Sequence, residues 1–125
     1  MRNVSTAFMD HLHEEAIALL YAAHDWALKA DTIARRGDPA ERLPVIMASL
    51  GLTTLVIDSV AWTLSRKALV TGELSETEAA SDEWAPMQLA GDTFATAPLP
   101  AKLTELIKKV ESFHRRISLL HAGGQ

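Results

Sequence analysis

Five histidines and sixteen acidic side chains are the residues of this chain that could hold a metal or move a proton. Glu111-x-x-His114 has the spacing with which di-iron helical bundles present a carboxylate and an imidazole from one helix. Such a centre needs a second copy of the motif and two further core glutamates. Asp10-x-x-His13 is the other candidate pair, and the middle of the chain supplies only Asp58. The donor set is incomplete for a carboxylate–histidine centre, so no metal and no cofactor is expected. The rival reading is a small helical metal-binding protein or enzyme using Glu111 and His114. His11, His13 and His24 do not converge at ligand spacing. His13 and His24 share a side of a helix but sit roughly 16 Å apart along it.

His114 and His121 lie seven residues apart and share an apolar face. One reading is a paired, pH-sensitive site. The other is a hydrogen-bonded core histidine together with a histidine at a helix C-terminus, where the dipole suits it. Asp58, alone in an apolar stretch, is either a perturbed carboxylate or part of a narrow line with Met47, Thr54 and Ser65, which the 3.6-residue period brings together. Trp26, Trp62 and Trp84 lack the interleaved basic residues of a base-stacking platform. The chain has no phosphate-binding glycine loop, no Gly-x-Ser-x-Gly and no Cys/His nucleophile pair. The expectation is a non-enzymatic protein.

The elements that carry these residues are helices. A first helix is predicted over about 6–36, with Ser5 as N-cap. Its apolar stripe is Phe8, Leu12, Leu19, Ala23, Trp26, Ala30 and Ile33, widened by Ile17, Leu20 and Leu28. Arg35-Arg36-Gly37-Asp38-Pro39 reads as its stop. A second helix is predicted over about 44–70, with Pro44 in the first turn and a stop at Thr71-Gly72-Glu73. Ser75-x-x-Glu78 reads as a capping box that opens a short helix over about 76–84. Residues 85–100 carry three prolines and no period, and read as loop. A third helix is predicted over about 101–122. Its seam is Leu103, Leu106, Ile107, Val110, Phe113, Ile117 and Leu120, with Glu105, Lys108, Lys109, Arg115 and Arg116 outward. The fold class is all-α: one domain, 1–125, forming a three-helix bundle.

The bulk numbers agree. A chain of 125 residues, 48% hydrophobic and 22% charged, fits one globular domain. A net charge of −4 argues against non-specific nucleic-acid binding. The absence of cysteine suits a reducing cytosol. The N-terminus lacks the basic-then-apolar order of a signal peptide. Residues 43–64 are long enough to span a bilayer, but Asp58 near the middle and the polar residues around it argue against a membrane span. A cytoplasmic protein is expected.

The second helix sets the main expectation. Across 43–64 its single ionisable side chain is Asp58. A helix apolar almost all round must be buried, paired or in a membrane, and two amphipathic neighbours cannot easily sheathe it. It is also rich in small residues (Ala48, Ser49, Gly51, Thr53, Thr54, Ser59, Ala61), which let helix backbones approach closely. The expectation is a homodimer through this helix, with Leu52, Leu55, Val56 and Trp62 at its core or interface. The alternative cover is residues 76–100 folded over it. The cationic face of the third helix (Lys108, Lys109, Arg115, Arg116) and the acidic face of the first (Asp10, Glu14, Asp25) are candidate docking surfaces, or merely solvated faces.

Leu52-Thr53-Thr54, Ala61-Trp62-Thr63-Leu64, Arg66-Lys67-Ala68-Leu69-Val70 and Gly72-Glu73-Leu74-Ser75 together resemble the central helix of the RcdA family, small alphaproteobacterial regulators of CtrA degradation. Thr53, Thr54, Ala61, Trp62, Gly72 and Glu73 carry most of the likeness. Leu99-Pro100, Leu103, Leu106, Phe113, Arg116-Ile117 and Leu120 resemble the family's last helix. The resemblance implies a three-helix bundle that forms a homodimer and has no enzymatic activity. It implies an adaptor in regulated proteolysis, linking response-regulator cargo such as CtrA to ClpXP with helpers such as CpdR and PopA, in the cytoplasm and recruited to a cell pole.

Overall fold

The computed structural model describes residues 6–36, 39–73, 75, 85–87 and 99–124. Three helices make up the regular structure of these residues: α1 (Thr6–Arg36), α2 (Pro39–Val70) and α3 (Ala101–Gly124). The protein is an all-α bundle. The short helix expected over 76–84, with Trp84, lies outside the described residues.

α1 ends at Arg36, where its cations meet Gly-Asp-Pro. α2 starts at Pro39, five residues before the expected boundary, and Pro44 lies inside it. Pro39 takes the first helical position, where a missing N–H costs nothing. Pro44 therefore removes one backbone bond near the helix start rather than opening the helix. The far end of α2 closes in a Schellman motif. The Glu73 N–H donates to Ala68 O at 2.7 Å and the Gly72 N–H to Leu69 O at 3.2 Å. Gly72 supplies the left-handed φ of 86° that this turn requires. α3 begins where Pro100 O accepts the Thr104 N–H at 3.0 Å.

α1 and α2 are separated by two residues and run antiparallel. His13 of α1 meets Thr63 of α2, and Asp10 meets Lys67. α2 and α3 run parallel: Asp58 meets His114, and further along both helices Arg66 meets His121. A parallel pair demands a long return, and residues 71–100 supply it. α1 packs along α2 for most of its length, while α3 meets α1 much less.

The core is two apolar clusters, joined where Leu19 and Val60 pack against both. One holds Ala23, Val45, Ala48, Leu52, Leu55, Val56 and the first half of α3's seam. The other holds Met9, Leu12, Ala16, Trp62, Phe113 and Ile117. In α1 the buried stripe runs Met9, Leu12, Ala16, Ala23, whereas Phe8 and Leu28 are exposed. The expected stripe is therefore displaced by one position at its start. The side chains of Ala30 and Ile33 lie outside the described set.

Candidate functional site

α2 shows two apolar faces, and this is the unusual feature of the molecule. Its inner face (Val45, Ala48, Leu52, Leu55, Val56, Trp62) is buried against α1 and α3. Its outer face carries Leu43, Met47, Leu50, Ile57 and Leu64, all exposed; Leu50 stands 61% open and Ile57 55%. Thr54 and Ala61, also exposed, complete the run. The steps 43, 47, 50, 54, 57, 61, 64 alternate four and three, the heptad rhythm of a helix that meets another helix. The Thr54 hydroxyl returns to Leu50 O of its own helix at 2.9 Å, so it interrupts the apolar seam little.

Of the two places expected for Leu52, Leu55, Val56 and Trp62, core or interface, the structure puts all four in the core, because α1 and α3 cover that face. The exposed face is the opposite one. The expected line of Met47, Thr54, Asp58 and Ser65 breaks up. Met47 and Thr54 sit in the open seam, Asp58 on its flank, and Ser65 is buried, donating to Trp62 O at 2.8 Å. Of the segment considered as alternative cover, residues 85–87 reach α2 at Asp58, and most of the rest lies outside the described residues.

A polar cluster stitches α2 to α3. Asp58 Oδ2 accepts from His114 Nε2 at 3.1 Å and from the Met87 N–H at 3.0 Å. His114 is 2% exposed, a core histidine held by a carboxylate on the neighbouring helix. One turn along α2 and two along α3, His121 Nδ1 faces Trp62 Nε1 at 3.2 Å and Arg66 Nη2 at 2.7 Å. Both of those groups are donors only, so Nδ1 carries the lone pair and the ring proton sits on Nε2. Arg66 also lies over the Trp62 ring, 5.2 Å from its centroid. A shallow cleft of about 530 Å³ beside this cluster is lined by Ala85–Met87, His114, Arg115, Ser118, His121 and Ala122.

At the α1–α2 contact, His13 Nδ1 lies 2.8 Å from Thr63 Oγ1. The Thr63 hydroxyl donates to Val60 O at 2.9 Å, so it accepts from His13. Burial, and secondarily the Lys67 charge, hold the His13 pKa below its ordinary 6.5. Lys67 pairs with Asp10 at 3.1 Å. Asp10 and His13 thus face different partners. Among the described residues no three His, Cys, Asp or Glu side chains gather as a metal set, and the imidazole of Glu111-x-x-His114 is engaged by Asp58.

The four cationic residues expected on one docking face all stand exposed on α3 but divide between two clefts. Arg115 borders the histidine cluster. Lys108, Lys109 and Arg116 line a second groove of about 610 Å³ between α1 and α3, floored by Ala18, Leu19, Ala22 and Leu106. Arg116 stacks on Phe113 and reaches across to Glu15 of α1.

The residues that carry the family likeness have separate jobs. Thr53 is half-buried, Thr54 and Ala61 belong to the open seam, Trp62 is core, and Gly72-Glu73 ends α2. The segment Arg42–Val70 is long and apolar enough to cross a membrane by length and composition. A family model described as "Protein of unknown function (DUF1465)" matches residues 1–123. No curated protein and no solved structure matches the chain.

Proposed function

We propose that this chain, which belongs to the DUF1465 family, is a non-enzymatic adaptor that pairs with its own copy through the open face of α2. The carrying observation is the exposed heptad run from Leu43 to Leu64. A bundle of three helices ordinarily gives such positions to water and fills them with charge. Here they hold leucine, methionine and isoleucine. A contiguous exposed apolar strip marks an interaction site, and a strip with this rhythm fits a second helix of the same kind. A twofold contact lets each copy cover the other's strip with one set of residues.

The likeness to the RcdA family supports the biological direction of this reading. On it, the dimer links a response regulator such as CtrA to the ClpXP protease in the bacterial cytoplasm. Partners dock on the faces that the twin leaves open, the cationic side of α3 among them. An adaptor of this kind needs rigid surfaces and no reactive group.

Light scattering on the purified protein tests the self-association. A dimer is expected for the wild type and a monomer for Ile57→Glu, which places a carboxylate in the middle of the seam and leaves the inner core intact. A wild-type monomer, or wild-type protein that partitions into lipid vesicles rather than pairing, would overturn it. Pull-down from native lysate tests the adaptor role. Recovery of a response regulator together with ClpXP subunits is expected. A stoichiometric metal in the purified protein would count against the non-enzymatic reading.

A further inference from the structure

The groove between α1 and α3 runs against the charge of the molecule that holds it. The chain carries a net charge of −4, yet the ionisable side chains lining the groove are Lys108, Lys109, Arg116 and Glu15. That is three cations and one carboxylate, and the carboxylate is already paired with Arg116. Both members of that pair are substantially solvated, with side-chain exposures of 49% for Arg116 and 37% for Glu15. An exposed pair of this kind holds weakly, so an incoming carboxylate can take Glu15's place without a large penalty. The floor, by contrast, is apolar: Leu19 and Ala22 from α1, Leu106 from α3. The α3 wall extends from Leu106 to Arg116, about 15 Å at 1.5 Å per residue, or roughly three helical turns.

We propose that this groove receives an acidic amphipathic helix of about three turns, its apolar stripe on Leu19 and Leu106 and its flanking carboxylates on Lys108, Lys109 and Arg116. The proposal rests on the adaptor reading and names the kind of partner segment the adaptor would take. Two helices with an apolar trough between them suit a third helix laid in that trough, anchored at positions three and four apart. The cations at the rim select an acidic partner and speed its arrival more than they tighten it. The groove lies between α1 and α3, whereas the open seam lies on the face of α2 turned away from both. Self-pairing and partner docking therefore use separate surfaces.

The test is fluorescence anisotropy of the full chain with a labelled synthetic peptide of 18 residues, leucines along one helical face and glutamates on both flanks. Saturable binding is expected, weakening as salt rises. The double variant Lys108→Glu, Lys109→Glu should raise Kd at least tenfold, with circular dichroism confirming that its helices are intact. Arg115→Glu makes the same charge reversal on the same helix but borders the other cleft, and should change Kd less than twofold. Equal losses from the two variants would overturn the proposal. So would equal binding of a peptide with its leucines scrambled around the helix, or wild-type preference for phosphatidylserine vesicles over the peptide. The pull-down separates this idea from the adaptor reading. Recovery of the protease and response regulator by the double variant would remove the groove and leave the adaptor. Peptide binding without any such recovery would keep the groove and remove that adaptor role.

Discussion

His13 shows how one side chain makes the α1–α2 contact depend on acidity. Its Nδ1–H bond to Thr63 survives protonation, but a second proton would place a charge in a partly desolvated spot near Lys67. Because the folded-state pKa is lowered, the unfolded chain takes up the proton first. Stability should therefore be full above pH 6.5, fall as the pH drops below it, and level off once the folded form also protonates. His13→Asn keeps an N–H in place of Nδ1–H and has nothing to titrate. Urea midpoints measured between pH 7.5 and 5 should fall less for this variant than for the wild type. A wild type and variant that decline in parallel would show that His13 is not the sensor. His114 as a core histidine is readable from its seven-residue step to His121 along an apolar face. Its partner is not, since Asp58 stands 56 positions earlier and only the parallel docking of α3 on α2 joins them. The tautomer of His121 is likewise a product of two donors that meet it from another helix.

Helix ends were the most legible features at the next scale. α1 ends at Arg36, inside the expected Arg-Arg-Gly-Asp-Pro signal, and Thr71-Gly72-Glu73 closes α2; such signals are legible because they depend on local backbone chemistry. Gly72→Ala tests the second. An added Cβ would meet nothing within 4 Å, so the cost is the left-handed backbone alone, about 1–2 kcal/mol. A correspondingly lower urea midpoint with unchanged helix content is the expected result. The start of α2 was less legible, since two prolines compete for the first turn and Pro44 stands closer to the apolar run. The inner and outer faces of α2 were not distinguishable. Amphipathic helices declare their buried side by the polar residues opposite, as α1 and α3 do. α2 between Leu43 and Leu64 offers Asp58 as its single ionisable side chain and scatters its serines and threonines over both faces, so Leu50 and Leu52 look equivalent until neighbours cover one of them. The heptad rhythm of the outer run is present in the sequence, but so is a second one on the inner face (Val45, Ala48, Leu52, Leu55, Ser59, Trp62).

At the scale of the molecule, all-α architecture follows from three long periodic segments, and the expected bundle is what the structure shows. What remains on its surface is an apolar strip that one copy leaves open. The proposed pairing through that strip would tie stability to mass action. The melting temperature of the wild type should climb by several degrees over a hundredfold rise in protein concentration, whereas that of Leu50→Glu should stay constant. A wild-type melting temperature independent of concentration would refute pairing through this strip.

The parallel arrangement of α2 and α3 has a bearing on synthesis. α1 and α2 form a hairpin whose bonds join residues such as His13 and Thr63, 50 positions apart, whereas Glu15 must wait for Arg116, 101 positions later. On the ribosome the hairpin is complete while α3 is still inside the exit tunnel. During that interval α1 already covers much of the inner side of the second helix, but the part that α3 will cover is bare together with the outer strip. Chaperone engagement at that stage is the natural safeguard for a chain built in this order.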